Sequence, residues 1–152
     1  MDVIYSIEEE KINSAPSIFL AGPTPRDPQE LSWRPAALYY LNYLGFNGRV
    51  FVPEPKPGLS WDWGFEEQVE WEERHLIRAS KIVFWIPRSE KMPGYTTNIE
   101  FGRWSCFGKI FVGWPENSLK MRYIAYYVKK LMIPSAHTLY DTLSLAVKSE
   151  IY

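Results

Sequence analysis

Cysteine and histidine are nearly missing from this chain. A single Cys106 leaves nothing for an internal disulfide, and with only His75 and His137 beside it no zinc-type ligand spacing assembles, so neither a metal nor a cofactor is expected. Charge excess is missing too. The 17 basic and 18 acidic residues leave a net charge of -1, without the electrostatic footprint that nucleic acid or an anionic membrane calls for. Apolar runs such as KIVFWIP and SIFLAG are far too short to span a bilayer, and the opening MDVIYSIEEEK is acidic where a signal peptide is basic and then apolar. A soluble cytoplasmic protein is expected, with small-molecule partners and no contact with nucleic acid or membrane. Glycine-rich phosphate loops are also absent: the first candidate turn, AGPTPRD, holds one glycine, which sets aside the dinucleotide fingerprint and the P-loop.

What remains is an alternation. Short β-rich runs at 17–21 (SIFLA), 49–53 (RVFVP), 81–87 (KIVFWIP) and 109–115 (KIFVGWP) each end at Gly or Pro or just before one. Between them lie WRPAALYYLNYL, FEEQVEWEERHLIRAS and TNIEFGRWSCF, with SLKMRYIAYYVKKLM after the last, all reading as helices. Strand and helix in strict turn predict an α/β fold, a parallel sheet with helices on both faces. No repeat or linker divides residues 1–152, a length that suits one domain with a full core. In such sheets ligands bind beyond the carboxyl ends of the strands, at the topological switch point. That directs attention to Gly22–Arg26, Pro53–Trp63, Pro87–Glu100 and Pro115–Asn117.

Those loops are rich in flat rings. LSWDWGF puts Trp61, Trp63 and Phe65 in one short segment, either as stacking platforms for a heterocycle or as packing. On the helix that follows, at 100° per residue, Phe65, Val69, Leu76 and Ala79 share one stripe with Glu72 in its middle. A carboxylate on an apolar stripe costs several kcal/mol, roughly, unless it is paired, so Glu72 meets a cation such as Arg34 or Arg88 or serves a site. Glu66, Glu67, Glu70 and Glu73 fall off the stripe, as a solvated face does. In PGYTTNIEFG, Thr97 and Glu100 match a capping box. The alternative is a first-turn carboxylate at a strand-end loop, kept ionised by the helix dipole as a nucleophile requires.

Taken together, IFLAGP, FVPEP, QVEWEERHL, IVFWIPR and TTNIEFG, in that order, resemble the nucleoside 2-deoxyribosyltransferase-like family, over roughly residues 17–140. The resemblance implies a flavodoxin-like (Rossmann-like) sheet of about five strands in the order 2-1-3-4-5. It implies cleavage of the N-glycosidic bond of a 2'-deoxynucleoside through a glutamyl-deoxyribosyl ester and transfer of the sugar to another base, a reaction of nucleotide salvage. Glu100, before Phe101-Gly102, matches the nucleophile's turn, and Glu72 matches the helix acid. Gly22, Pro23, Thr24, Glu54, Trp61, Trp63, Arg88, Thr96, Thr97 and Asn98 are the expected substrate-binding residues. The family's Asp six residues before the nucleophile is Gly94 here, to be replaced by Glu90 or Glu54 if at all, and Phe19 stands where a strand-one tyrosine orients the nucleophile. A homo-oligomer, dimer or higher, is expected, with the Tyr152 carboxylate reaching a neighbour's site. An N-glycosidase acting on a deoxynucleoside or its 5'-monophosphate, with Thr24, Arg26 and Arg88 for the phosphate, is the alternative, and a non-catalytic nucleotide-binding module is the other.

Overall fold

The computed structural model describes residues 1–9 and 14–150. Its elements are β1 (Asp2–Tyr5), β2 (Ser17–Ala21), α1 (Arg34–Tyr43), β3 (Arg49–Val52), α2 (Phe65–Arg78), β4 (Lys81–Trp85), α3 (Tyr95–Trp104), β5 (Ile110–Gly113), α4 (Arg122–Lys130), β6 (Ser135–Ala136) and α5 (Leu139–Lys148). They form one six-stranded sheet, ordered β1-β3-β2-β4-β5-β6, in which every described pairing is parallel.

From Ser17 onward the order is the expected 2-1-3-4-5. The acidic opening adds a sixth strand at the β3 edge, with Val3 opposite Val50 and Tyr5 opposite Val52. The last strand is only Ser135–Ala136, too short to leave a hydrophobic signature. The expectation for Tyr152 lies outside the described residues.

Every residue of β2, β3, β4 and β5 is buried, which explains why these runs are apolar throughout instead of alternating. Successive side chains still point to opposite faces. Phe19, Phe51, Ile82, Phe84 and Val112 pack with α2, α3 and α4 through Trp71, Leu76, Phe101, Trp104, Ile124 and Val128. Ile18, Leu20, Val50, Val83 and Phe111 meet Ala37 and Leu41 of α1 and Leu143 and Ala146 of α5 on the other.

Two lysines brace the end of the sheet where the strands begin. Lys81 Nζ donates to the carbonyls of Ala146 and Ser149, both at 2.7 Å, at the end of α5. Lys109 Nζ donates to Leu76, Ile77 and Ala79 at the end of α2. Cations there satisfy orphan carbonyls and oppose the helix dipole. Burial pushes both ammonium groups below the ordinary lysine range. The opposite end, where the strands finish, is left to loops. Among the described residues no helix is long and apolar enough to cross a membrane.

Candidate active site

The chain leaves β2 for β3 on one side and reaches β4 on the other, so the sheet has its switch point between β2 and β4. A cavity of about 840 Å³ opens there, a size that suits a drug-sized or nucleoside-sized ligand. It is lined from four directions: the end of β2 with the Gly22–Arg26 loop, Pro53 with the tryptophan loop, one side of α2, and the Pro93–Thr96 entry into α3 together with Glu100.

Gly22 lets the backbone turn into this space. Its φ is 143°, and a Cβ would meet the Trp85 carbonyl oxygen at 2.1 Å. Gly22→Ala should therefore lower stability by roughly 3 kcal/mol or more, read as a drop in the denaturation midpoint at unchanged slope. Arg34, although only 1 % exposed, wires the same loop down. It donates to the carbonyls of Leu20 (3.0 Å) and Gly22 (2.8 Å), to Thr24 Oγ1 (3.0 Å) and to Glu54 Oε1 (2.5 Å).

Glu72 and Glu100 both line the cavity, one from α2 and one from α3. Burial drives the Glu100 carboxyl up to about 8, the nearby Glu72 carboxylate adds to this, and Arg34 partly offsets it. Burial also raises Glu72, against the lowering effect of a hydrogen bond from Gln68 Nε2 (2.7 Å) and of Arg34. Two acids so placed hold at least one proton between them near neutrality.

Three expectations about these acids are corrected. Glu100 is not in the first turn: α3 begins at Tyr95 behind an N-cap at Gly94 and has no acidic first-turn residue. It follows that the helix dipole does not hold Glu100 ionised. The capping box is absent as well, because Thr97 sits inside the helix, 1 % exposed, with its Oγ1 lacking a hydrogen-bond partner. A side-chain cap forms instead at α5, where Thr138 Oγ1 accepts from the Asp141 backbone N–H at 3.0 Å. Finally, the stripe on α2 is half cavity wall. Leu76 and Ala79 are core, but Phe65 and Val69 are exposed and line the cavity with Glu72, while Trp71 and His75 supply the rest of the buried face. A helical stripe marks what avoids bulk water, and a cavity edge satisfies that as a core does.

Of the residues expected to touch a ligand, Gly22, Pro23, Thr24, Trp61, Trp63 and Thr96 line the cavity with the two glutamates. Glu54, Arg88, Thr97 and Asn98 do not. Glu54 is held by Arg34 and by Ser32 Oγ at 2.8 Å. Arg88 Nη2 donates to Asn98 Oδ1 at 2.5 Å, and Arg88 faces a separate cavity of about 560 Å³ with Lys91, Asn117 and Ser118. Glu90 lines that second cavity also, so neither glutamate proposed for the missing aspartate reaches the first. No side chain fits at Gly94 itself, since a Cβ there would come within 2.7 Å of Pro23 Cγ at a φ of 63°. Phe19 is 1 % exposed and lines the cavity against Trp71, with ring centroids 6.3 Å apart.

Sequence reasoning missed Gln68, Ser6 and Tyr95. Gln68 lies four residues before Glu72, a spacing that puts both on one helix face, so a signal existed. Ser6 gave none, being brought in by the added edge strand. Among the described residues no three His, Cys, Asp or Glu side chains cluster to hold a metal ion.

No curated protein sequence matches the chain. The model of one family does, described as nucleoside 2-deoxyribosyltransferase like, over residues 15–118. That span holds β2 through β5 with both glutamates and every other cavity-lining residue, and on it the chain belongs to the nucleoside 2-deoxyribosyltransferase-like family.

Proposed function

We propose that this protein cleaves the N-glycosidic bond of a 2'-deoxynucleoside by double displacement and passes the deoxyribosyl group to a second base. The observation that carries this reading is the pair of desolvated carboxylates on facing helices, lining one nucleoside-sized cavity beside Trp61 and Trp63.

With one proton on the pair, the reactive distribution is Glu100 ionised and Glu72 neutral. Glu100 attacks C1' as the C1'–N bond breaks. The bonding pair leaves with the base, which takes the Glu72 proton, and an ester joins C1' to Glu100. A second base then attacks C1', returns its N–H proton to Glu72 and expels Glu100, giving net retention. Water in place of the base would give deoxyribose. The Arg34 guanidinium favours the anionic partner in each state.

Of the three groups expected to hold a 5'-phosphate, Thr24 and Arg26 line the cavity and Arg88 does not, so a monophosphate would keep two of its three expected contacts. The homo-oligomer remains part of the reading. Phe65 and Tyr95, each 77 % exposed, are large apolar groups on the cavity wall that a second copy of the chain would cover.

Incubation with each 2'-deoxynucleoside, with and without a free base, tests the reaction. A new nucleoside and a deoxyribosyl gain in intact mass are expected. Free deoxyribose alone would make the protein a hydrolase, and no product with no adduct would leave only a binding module.

The tryptophans separate by exposure. Trp61 is 50 % exposed, and its ring centroid lies 5.5 Å from that of Trp63. If a base stacks there, Trp61→Ala removes about 1 to 3 kcal/mol of binding, so the Michaelis constant should rise about tenfold to hundredfold. The melting temperature should hardly change. A large loss of stability with unchanged substrate binding would instead make Trp61 a packing residue.

A further inference from the structure

Gln68 stands between the tryptophan loop and the helix acid. The Trp63 indole Nε1–H donates to Gln68 Oε1 at 2.7 Å. Gln68 Nε2 donates to Glu72 Oε1 at 2.7 Å and to Ser6 Oγ at 3.0 Å. An indole N–H is a donor only, so the amide must turn its oxygen to Trp63 and its nitrogen to Glu72. An amide nitrogen cannot accept. Glu72 Oε1 is therefore committed as an acceptor, and a proton on neutral Glu72 has only Oε2 to occupy.

We propose that Gln68 is a positioning residue that, with its amide orientation set by the Trp63 N–H, confines the Glu72 proton to Oε2, the oxygen left free for the departing base. The use of that proton rests on the function proposed above; its placement rests on the hydrogen bonds alone. Trp63 then has two separable roles, a ring on the cavity wall and an N–H that sets a proton's position. Without the N–H the amide can rotate, offer its oxygen to Glu72 and trap the proton on Oε1. The added strand β1 gains a purpose as well, since it carries the chain to Ser6, which takes the second amide hydrogen.

The charged groups sharing the cavity with Glu72 are Glu100 on α3, Arg34 on α1 and Arg26 in the loop after β2. Glu100 is the other carboxyl among them, so the test is run in a Glu100→Gln background as well as in the wild type. Indole N–H resonances are followed against pH by ¹H–¹⁵N NMR, and Trp63→Phe identifies the Trp63 signal by its disappearance. That resonance is expected to titrate in the wild type and in Glu100→Gln, and to stop titrating in Glu72→Gln and in Gln68→Met.

In kinetics, Trp63→Phe keeps a ring, so KM should stay within about threefold while kcat falls about tenfold or more. The alkaline limb of kcat should move to higher pH, because a donor that favours ionised Glu72 has been weakened. A merely structural Trp63 would not move that limb. Gln68→Met should show the same pattern; if it fails to fold, Trp63→Phe, which removes the N–H with the five-membered ring and keeps an aromatic ring on the cavity wall, carries the test.

A Trp63 resonance indifferent to pH, or a Gln68→Met enzyme with the wild-type kcat and pH profile, would overturn the assignment. Should the resonance titrate while no deoxynucleoside is ever cleaved, the coupling of Trp63 to Glu72 through Gln68 stands and the catalytic reading fails. Turnover without titration has the opposite meaning.

Discussion

In Glu100→Gln, transfer and hydrolysis should both fall to background while the chain still folds, and the variant should outlast the wild type on heating at alkaline pH. The first effect follows from the nucleophile. An amide cannot form the ester, so no deoxyribosyl gain in mass should appear, and activity within a few-fold of the wild type would remove Glu100 from the reaction. The second follows from linkage. Burial raises the folded Glu100 carboxyl from about 4.5 to about 8, so the native state binds this proton more tightly than the unfolded chain does. The stabilisation is full below the unfolded value and is lost as pH rises through the folded one. Wild type should therefore lose stability between about pH 5 and pH 8, by an amount on the order of 5 kcal/mol at most. Glutamine carries no charge and lacks that slope. For a chain of this length the difference at high pH should reach several degrees in Tm. Parallel slopes for the two proteins would mean that Glu100 is solvated and ordinary.

Glu72→Gln should cost about 10² to 10⁴ in rate, unevenly across substrates. If Glu72 protonates the departing base, the loss is greatest where that base is the poorest leaving group and shrinks for activated ones. The alkaline fall in kcat should vanish with it, because the pair then has no transferable proton to lose. The substitution is mild for the fold, since a glutamine oxygen can still accept from Gln68 Nε2 in place of Glu72 Oε1. An equal loss for every leaving base would assign Glu72 to holding the sugar or the helix, not to proton transfer.

These outcomes bear on a site whose outline was legible in the sequence. The four apolar runs became the four central strands because a parallel strand buried on both faces must be apolar throughout. The order of the strands puts the switch point between β2 and β4, where the cavity opens. Glu72 and Glu100 were visible as acids near strand ends, and the tryptophan loop as a cluster of flat rings.

Local pattern misled where two arrangements share one signature. Thr97 and Glu100 have capping-box spacing, yet α3 starts three residues earlier than that box requires, behind Gly94, because that glycine takes a left-handed φ of 63° where Pro23 leaves no room for a Cβ. Spacing records distance along the chain, and only the packing of the β2 loop against that turn decides where the helix begins.

Arg88 and Asn98 show the same limit. Both sit in loops or first turns on the ligand side of the sheet, but their side chains meet each other and face away from the main cavity.

The sequence by itself determined the layers and which two carboxylates stand near the carboxyl ends of strands, because both follow from hydrophobic period and strand-to-loop order, while the strand order from Ser17 onward came with the family resemblance. The tertiary structure alone decided the protonation of those carboxylates. Burial, the approach of α2 to α3, a buried arginine from α1 and a glutamine oriented by Trp63 come from segments far apart in the chain, and Gln68 and its partner Ser6 alone are 62 residues apart. A pKa is set by the sum of such fields and desolvations at one point in space, and no local stretch of sequence contains that sum.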